Sequence, residues 1–221
     1  MRCKILAAML VVSLSACGIA KPHEKLAQTQ AEQAGLVAVA KPKLDTTFVL
    51  PHANLGQYKK IVLTELDLST TKIIQPTSKI GFNTPWELNK DDIAYYQAKY
   101  TESAKEFLFD DGKYTAATAA GSDTLLLKAK ITEIAPLASK DDFKGRPNIM
   151  DVYSEGFGRV TIVFELYDST SNKLLLVTSD EHDLGRIWEK NTRVQNNIQI
   201  KLAFDFWLNY FAKELESVSK K

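Results

Sequence analysis

The sequence predicts an α+β fold in two layers: a mostly antiparallel sheet with two long helices packed on one face. Three observations carry this. Apolar residues alternate over 60–68, 124–134, 158–168 and 173–180, the period of half-buried strands. They recur at three and four over 90–107 and 191–218, the period of amphipathic helices. The runs follow one another as β-β-α-β-β-β-α, each with a single apolar side, and such sides are buried by laying helices on a sheet. The 221 residues, 45% hydrophobic and 25% charged, have the composition of a globular chain.

The first residues are of another kind. Arg2 and Lys4 precede an apolar run over 5–14 that is interrupted by Ser13. Ten helical residues reach about 15 Å, half the hydrocarbon thickness of a bilayer, so this run is a secretory leader and not a spanning helix. Leu14-Ser15-Ala16-Cys17 resembles the bacterial lipobox, in which small residues precede the cut and a cysteine follows it. The resemblance implies a signal peptide over 1–16 and lipidation of Cys17, whose thiolate takes a diacylglyceryl group before the new N-terminus is acylated. Gly18 stands where inner-membrane lipoproteins carry aspartate, which implies the outer membrane, with the domain facing the periplasm. One acyl chain binds reversibly and two or more bind stably, at about 0.8 kcal/mol per buried CH₂.

Cleavage would remove Cys3 and lipidation would occupy Cys17, leaving a mature chain without a free thiol. That rules out disulfides, thiolate metal sites and cysteine nucleophiles in it. Loss of Arg2 and Lys4 leaves 26 basic against 27 acidic residues, a balance that argues against a nucleic-acid partner.

Residues 17–45 read as the lipidated cysteine and a flexible tether. The stretch is rich in Ala, Gln and Lys, holds Pro22 and Pro42 and has no aromatic residue. A flexible chain of that length averages roughly 30 Å end to end. Residues 46–221 form a single domain. A strand over 47–50 ends at Pro51, and 60–68 forms the next. Residues 69–88, with Pro76, Gly81 and Pro85, are an irregular connection. Asn89 caps a helix with Asp91 and Asp92 in its first turn and Ile93, Tyr96, Tyr100, Ala104 and Phe107 on its apolar side, ending at Gly112. Over 124–134, Leu125, Leu127, Ala129 and Ile131 share a face. After a polar loop over 136–151, strands 158–168 and 173–180 flank Ser169-Thr170-Ser171-Asn172 as a hairpin. The last helix places Val194, Ile198, Ala203, Trp207, Phe211 and Leu215 along one side.

Asn54-Leu55 before Tyr58-Lys59-Lys60-Ile61-Val62-Leu63, the strand Gly158-Arg159-Val160-Thr161-Ile162, the turn Glu165-Leu166-Tyr167-Asp168-Ser169-Thr170 and Phe206-Trp207 together resemble a family of small Gram-negative lipoproteins classed as a domain of unknown function. In that family glycine often follows the turn threonine, where Ser171-Asn172 stands here. The resemblance implies an envelope lipoprotein and carries over no catalytic residue. A looser similarity is to auxiliary lipoproteins of envelope transport systems.

No nucleophile elbow or phosphate loop is present. Gly156-Phe157-Gly158 is half a dinucleotide fingerprint, but it precedes a strand and reads as a bulge or the start of that strand. Asp180-Glu181-His182-Asp183 has metal-like composition, yet a strand turns alternate residues to opposite faces, so it reads as a solvated strand end. The pairs Asp91-Asp92, Asp110-Asp111 and Asp141-Asp142 read as caps and loop charges. Trp86 and Trp188, in connections, are candidate partner contacts. The expectation is therefore a membrane-anchored, non-enzymatic binding or accessory domain without metal or cofactor. Its partners would be the membrane, through the lipid, and an envelope protein or cell-wall polymer. A hydrolase of envelope material or an auxiliary subunit of an envelope transport system is the alternative.

Overall fold

The computed structural model describes residues 21–76, 85–110, 113–137 and 153–220. Among these residues the fold is mixed α/β, with one large, mostly antiparallel sheet and three α-helices. The leader, Cys17, Asp111, Gly112, Asp141 and Asp142 lie outside the described residues.

The long hairpin is the backbone of the sheet. β8 (Gly158–Asp168) and β9 (Leu174–Asp183) pair antiparallel, and β6 (Thr124–Pro136) pairs along the other side of β8. The expected face of β6 is buried, with Leu125, Leu127, Ala129 and Ile131 at most 3% exposed. A bulge between Ile131 and Glu133 then turns Ile134 inward as well. The hairpin turn closes on Asp168, whose Oδ1 accepts the N–H groups of Thr170 and Ser171. Asn172 adopts φ 53°, the left-handed conformation that glycine or asparagine supplies in such turns.

On one side β9 pairs β2 (Thr46–Val49), which pairs β1 (Val37–Ala38), both antiparallel. On the other, β3 (Lys60–Leu63) joins β6 in parallel, β5 (Thr115–Ala117) follows β3, and β4 (Lys72–Ile73) adds to the far part of β6. The expected strand over 60–68 thus stops at Leu63. The connection after it contributes β4 and an isolated bridge from Asp67 to Lys130. A separate ribbon pairs β7 (Tyr153–Glu155) with β10 (Trp188–Lys190).

α2 (Lys90–Ala104) starts as expected: Asn89 Oδ1 accepts the Asp92 N–H and Asp92 returns the bond to the Asn89 N–H, both at 2.9 Å. A π-turn over Lys105–Asp110 ends it. α2 and α3 (Arg193–Ser219) send Tyr96, Tyr100, Phe204 and Trp207 into the principal core, beside Ile162, Phe164 and Leu166 of β8.

Two further expectations are corrected here. The supposed tether folds from Pro22 onward: α1 (Pro22–Ala34) places Ala27 and Ala31, 0% and 1% exposed, against Val163 and Val177. Val163 alternates with Ile162 and Phe164, so α1 covers the opposite face of the sheet from theirs. Its buried side is carried by alanines, which present little apolar area but let a helix approach a sheet closely. Gly35, at φ 70°, ends it, and the Leu36 N–H returns to the Ala31 carbonyl at 2.9 Å. Second, Val194 and Ile198 do not share the buried side of α3; they are 69% and 46% exposed. At 100° per residue, Val194, Ile198 and Leu202 point about 140–180° away from Trp207.

Candidate functional site

Three surface features of the domain carry chemistry. The first is a polar knot at the end of β9, where burial selects which acids are paired. His23, at the start of α1, is 6% exposed and its Nε2 lies 3.1 Å from Asp45 Oδ2. The Asp45 N–H donates to Asp180 Oδ1 (3.0 Å), and the Trp207 indole N–H donates to Asp180 Oδ2 (2.8 Å). Burial pushes the Asp180 carboxyl up to about 6, with the Trp207 bond opposing the rise and the Asp45 charge adding to it. Lys21 closes the knot, 3.3 Å from Glu181 and 3.8 Å from Asp45. His23, Glu24 and Asp45 each present a ligand atom within 4.8 Å of the others. Glu24, however, already accepts the Lys21 N–H, and the Lys21 ammonium sits against Asp45, so the group reads as a self-neutralising ion network. A cavity of about 180 Å³ opens beside it, lined by His23, Lys72, Glu133 and Glu181 among others. His182, on the opposite face of β9 from Glu181, packs its ring on Phe206 and Trp207, and burial lowers its pKa.

The second feature is an apolar tip. The ribbon grows from the start of β8 and the end of β9: Phe157 N–H bonds Leu184 O at 2.7 Å, and Gly156 N–H bonds Ile187 O at 3.0 Å. Gly156 and Gly158 have φ 75° and 114°, and a Cβ on either would meet a carbonyl oxygen at 2.2 Å. The half fingerprint is thus a strand start that only glycine can build. In the register Trp188↔Glu155 and Lys190↔Tyr153, Trp188 and Tyr153 share the outer face of the ribbon, 69% and 51% exposed. Ser154 faces inward, where the Asn191 side-chain amide donates to its hydroxyl at 3.0 Å. Next to the ribbon, α3 exposes Val194, Ile198 and Leu202, and Ile187 is 73% exposed.

The third feature lies at the other end of the sheet, by the hairpin turn. Tyr58 donates to Asp168 Oδ2 at 2.8 Å, joining two of the segments that carried the family resemblance. Burial, then Asp168, raises the Tyr58 pKa, while the turn N–H groups hold Asp168 below the usual carboxylate range. They border an open cavity of about 300 Å³ with His52, Asn54, Ser171 and Lys173 on its wall.

Of the two candidate tryptophans, Trp86 is 8% exposed and belongs to the core, with its backbone N–H held by Gln75 at 2.7 Å. Its ring is therefore withdrawn as a partner contact, whereas Trp188 stands on the surface. Asp92 accepts the Asn89 N–H in the α2 capping box, Asp91 lies 3.9 Å from Arg193, and Asp110 pairs with Lys105 at 3.0 Å, so these acids sit in separate places. No helix among the described residues is long and apolar enough to cross a membrane. The sequence does not show the knot: His23 stands in a stretch that reads as tether, and no local spacing links it to Asp180.

A mixed α/β domain with a polar knot, an apolar tip and a polar cavity at the far end is the class that fold and surface define. The model of a family described as "Protein of unknown function (DUF3313)" matches residues 30–211, and the chain belongs to that family. Comparison with curated proteins gives no match. Among solved structures, the chain is similar to the PelC dodecamer from Paraburkholderia phytofirmans, at 10% identity and TM-score 0.39, covering 76% of this chain and 96% of that one. It is also similar to protein XCC0632 from Xanthomonas campestris, at 8% identity and TM-score 0.43, covering 83% and 97%. At such distances those proteins' activities do not carry over to this chain.

Proposed function

We propose that this chain is a lipid-anchored protein of the bacterial envelope, held on the periplasmic face of the outer membrane, whose domain is a non-enzymatic binding or accessory module. The observation that carries this reading is the charged, short apolar leader ending in Leu14-Ser15-Ala16-Cys17. In this reading α2 and α3 are one covering layer of the sheet, and α1 joins the domain to the anchor. The far-end cavity, with His52, Asn54, Tyr58 and Lys173, offers the polar groups that an envelope protein or cell-wall polymer would meet.

Labelling cells with radioactive palmitate tests the anchor. Label is expected on the protein and absent from Cys17→Ser; equal label on both refutes it. A photo-crosslinker placed at Gln57 tests the module. A reproducible adduct with one envelope protein or with muropeptides is expected, and repeated recovery of the chain alone argues against a binding role.

A further inference from the structure

The folded α1 changes where the domain sits. The ammonium of Lys21, the first described residue, lies 3.3 Å from Glu181, two residues before the end of β9, and the Lys21 carbonyl accepts the Lys25 N–H as α1 begins. Between it and Cys17 stand only Gly18, Ile19 and Ala20. Four residue steps span no more than about 14 Å. α1 runs away from this point along the sheet, since His23 lies by Ser179 and Gln30 reaches Glu165, which pairs with Val177. The N-terminus therefore leaves the domain at the end of the sheet from which the ribbon grows.

Seven residue steps lead from Glu181 to Trp188, at most about 23 Å of extended chain. From Trp207, bonded to Asp180, α3 runs about 20 Å back to Val194. Both paths lead to the apolar tip. A group attached at Cys17 and that tip are thus held at the same end of the molecule.

We infer that the tip is a membrane-contact surface: Tyr153, Ile187, Trp188, Val194, Ile198 and Leu202 enter the headgroup and upper acyl region of the bilayer to which Cys17 is attached. The inference rests on the anchor assigned to Cys17. Tryptophan and tyrosine favour the interface, where the ring is apolar and its polar atom stays wet, and aliphatic residues beside them add buried area. Among the described residues, charges around the tip are balanced. Arg186 pairs with Asp183 at 3.0 Å, Arg193 lies 3.9 Å from Asp91, and Lys190 and Glu155 share the ribbon face. Contact is therefore driven by apolar surface and does not need anionic lipid.

The mature chain starting at Cys17 has that residue as its single thiol, because the other cysteine, Cys3, leaves with the leader. Coupling this thiol to a maleimide lipid in phosphatidylcholine vesicles imposes the anchor chemically, so the result does not depend on whether cells lipidate Cys17. Trp86 and Trp207 are 8% and 0% exposed, and the fluorescence lost in Trp188→Phe isolates the Trp188 emission. That emission is expected to shift to the blue on coupling and to lose more than half its intensity in vesicles brominated at acyl carbons 6 and 7, equally in low and molar salt. Ile187→Asp with Ile198→Asp, both surface changes, should abolish the quenching while circular dichroism stays unchanged. Equal emission from brominated and plain vesicles overturns the inference. A blue shift that grows with surface density but is insensitive to bromine would assign the tip to a second copy, and quenching that persists in Trp188→Phe would show that the buried tryptophans carry the signal; either result also overturns it.

Discussion

Replacing Asp180 with asparagine tests the polar knot most directly. In the folded chain the carboxyl titrates near 6, against about 3.9 for a free aspartate, because burial penalises its charged form. A gap of about 2 units at 1.36 kcal/mol each gives about 3 kcal/mol. Between those values the folded state binds more protons than the unfolded chain, so this group makes stability fall as pH rises from 4 to 6 and leaves it low above that. Asparagine removes the charge but keeps one oxygen where the carboxylate had two, one for the Asp45 N–H and one for the Trp207 indole. Leaving one buried donor unpaired costs about 1–3 kcal/mol at any pH. Urea unfolding of both proteins from pH 4 to 7.5 is the assay. Asp180→Asn should be the less stable at pH 4 and should gain about 3 kcal/mol on the parent by pH 7.5, ending level with it or above. His182, whose pKa burial lowers, acts with the opposite sign, adding stability as pH rises toward 6.5, but both proteins share it and the difference cancels it. Parallel curves across the range would refute the argument.

The other predictions concern packing and pairing. Gly156→Ala drives a Cβ to 2.2 Å from the Gly185 carbonyl at φ 75° and should cost at least roughly 1–3 kcal/mol in chemical denaturation. Gly185→Ala, which meets nothing nearer than 3.5 Å, should cost about 1 kcal/mol, and equal losses would contradict the clash. Lys130→Met strips the ammonium 2.6 Å from the buried Glu165 and should cost roughly 3 kcal/mol near pH 7, recovered in large part by adding Glu165→Leu. Burial pushes the Glu165 pKa up, but bonds from Lys130, Tyr167 and Gln30 outweigh it and hold the carboxylate low, so its contribution should fade as pH drops below about 4. Ala27→Gln should pry α1 from Val163 and Val177, seen as faster amide hydrogen exchange over 22–36. Fast exchange there in the parent chain would show that the segment is a tether after all.

What the sequence revealed follows the length of its patterns. β6, β8, β9 and α3 were legible because each runs long enough for a period to repeat, and α2 because its cap is written in Asn89 and Asp92. β4, β7 and β10 have two or three residues, too few to display any period. α1 shows only a thin apolar face in the sequence, because its buried residues are two alanines and His23 in a stretch otherwise rich in Gln and Lys. The start of α3 misleads for the opposite reason: Val194 and Ile198 are apolar at helical spacing, yet among the described residues no other element covers them. Trp188 was visible as a candidate but not its neighbours, which come together only through ribbon and helix. The His23–Asp45–Asp180 contacts join three segments that sequence spacing keeps apart.

The borders of the sheet have a consequence of their own. Among the described residues its outermost members, β1, β4 and β5, are two, two and three residues long, and Lys41, Lys43 and Lys72 lie on or close beside two of them. Such stubs expose too few unpaired backbone groups to template the addition of a foreign strand. Molecules of this protein can therefore crowd shoulder to shoulder without their sheets zipping into one another.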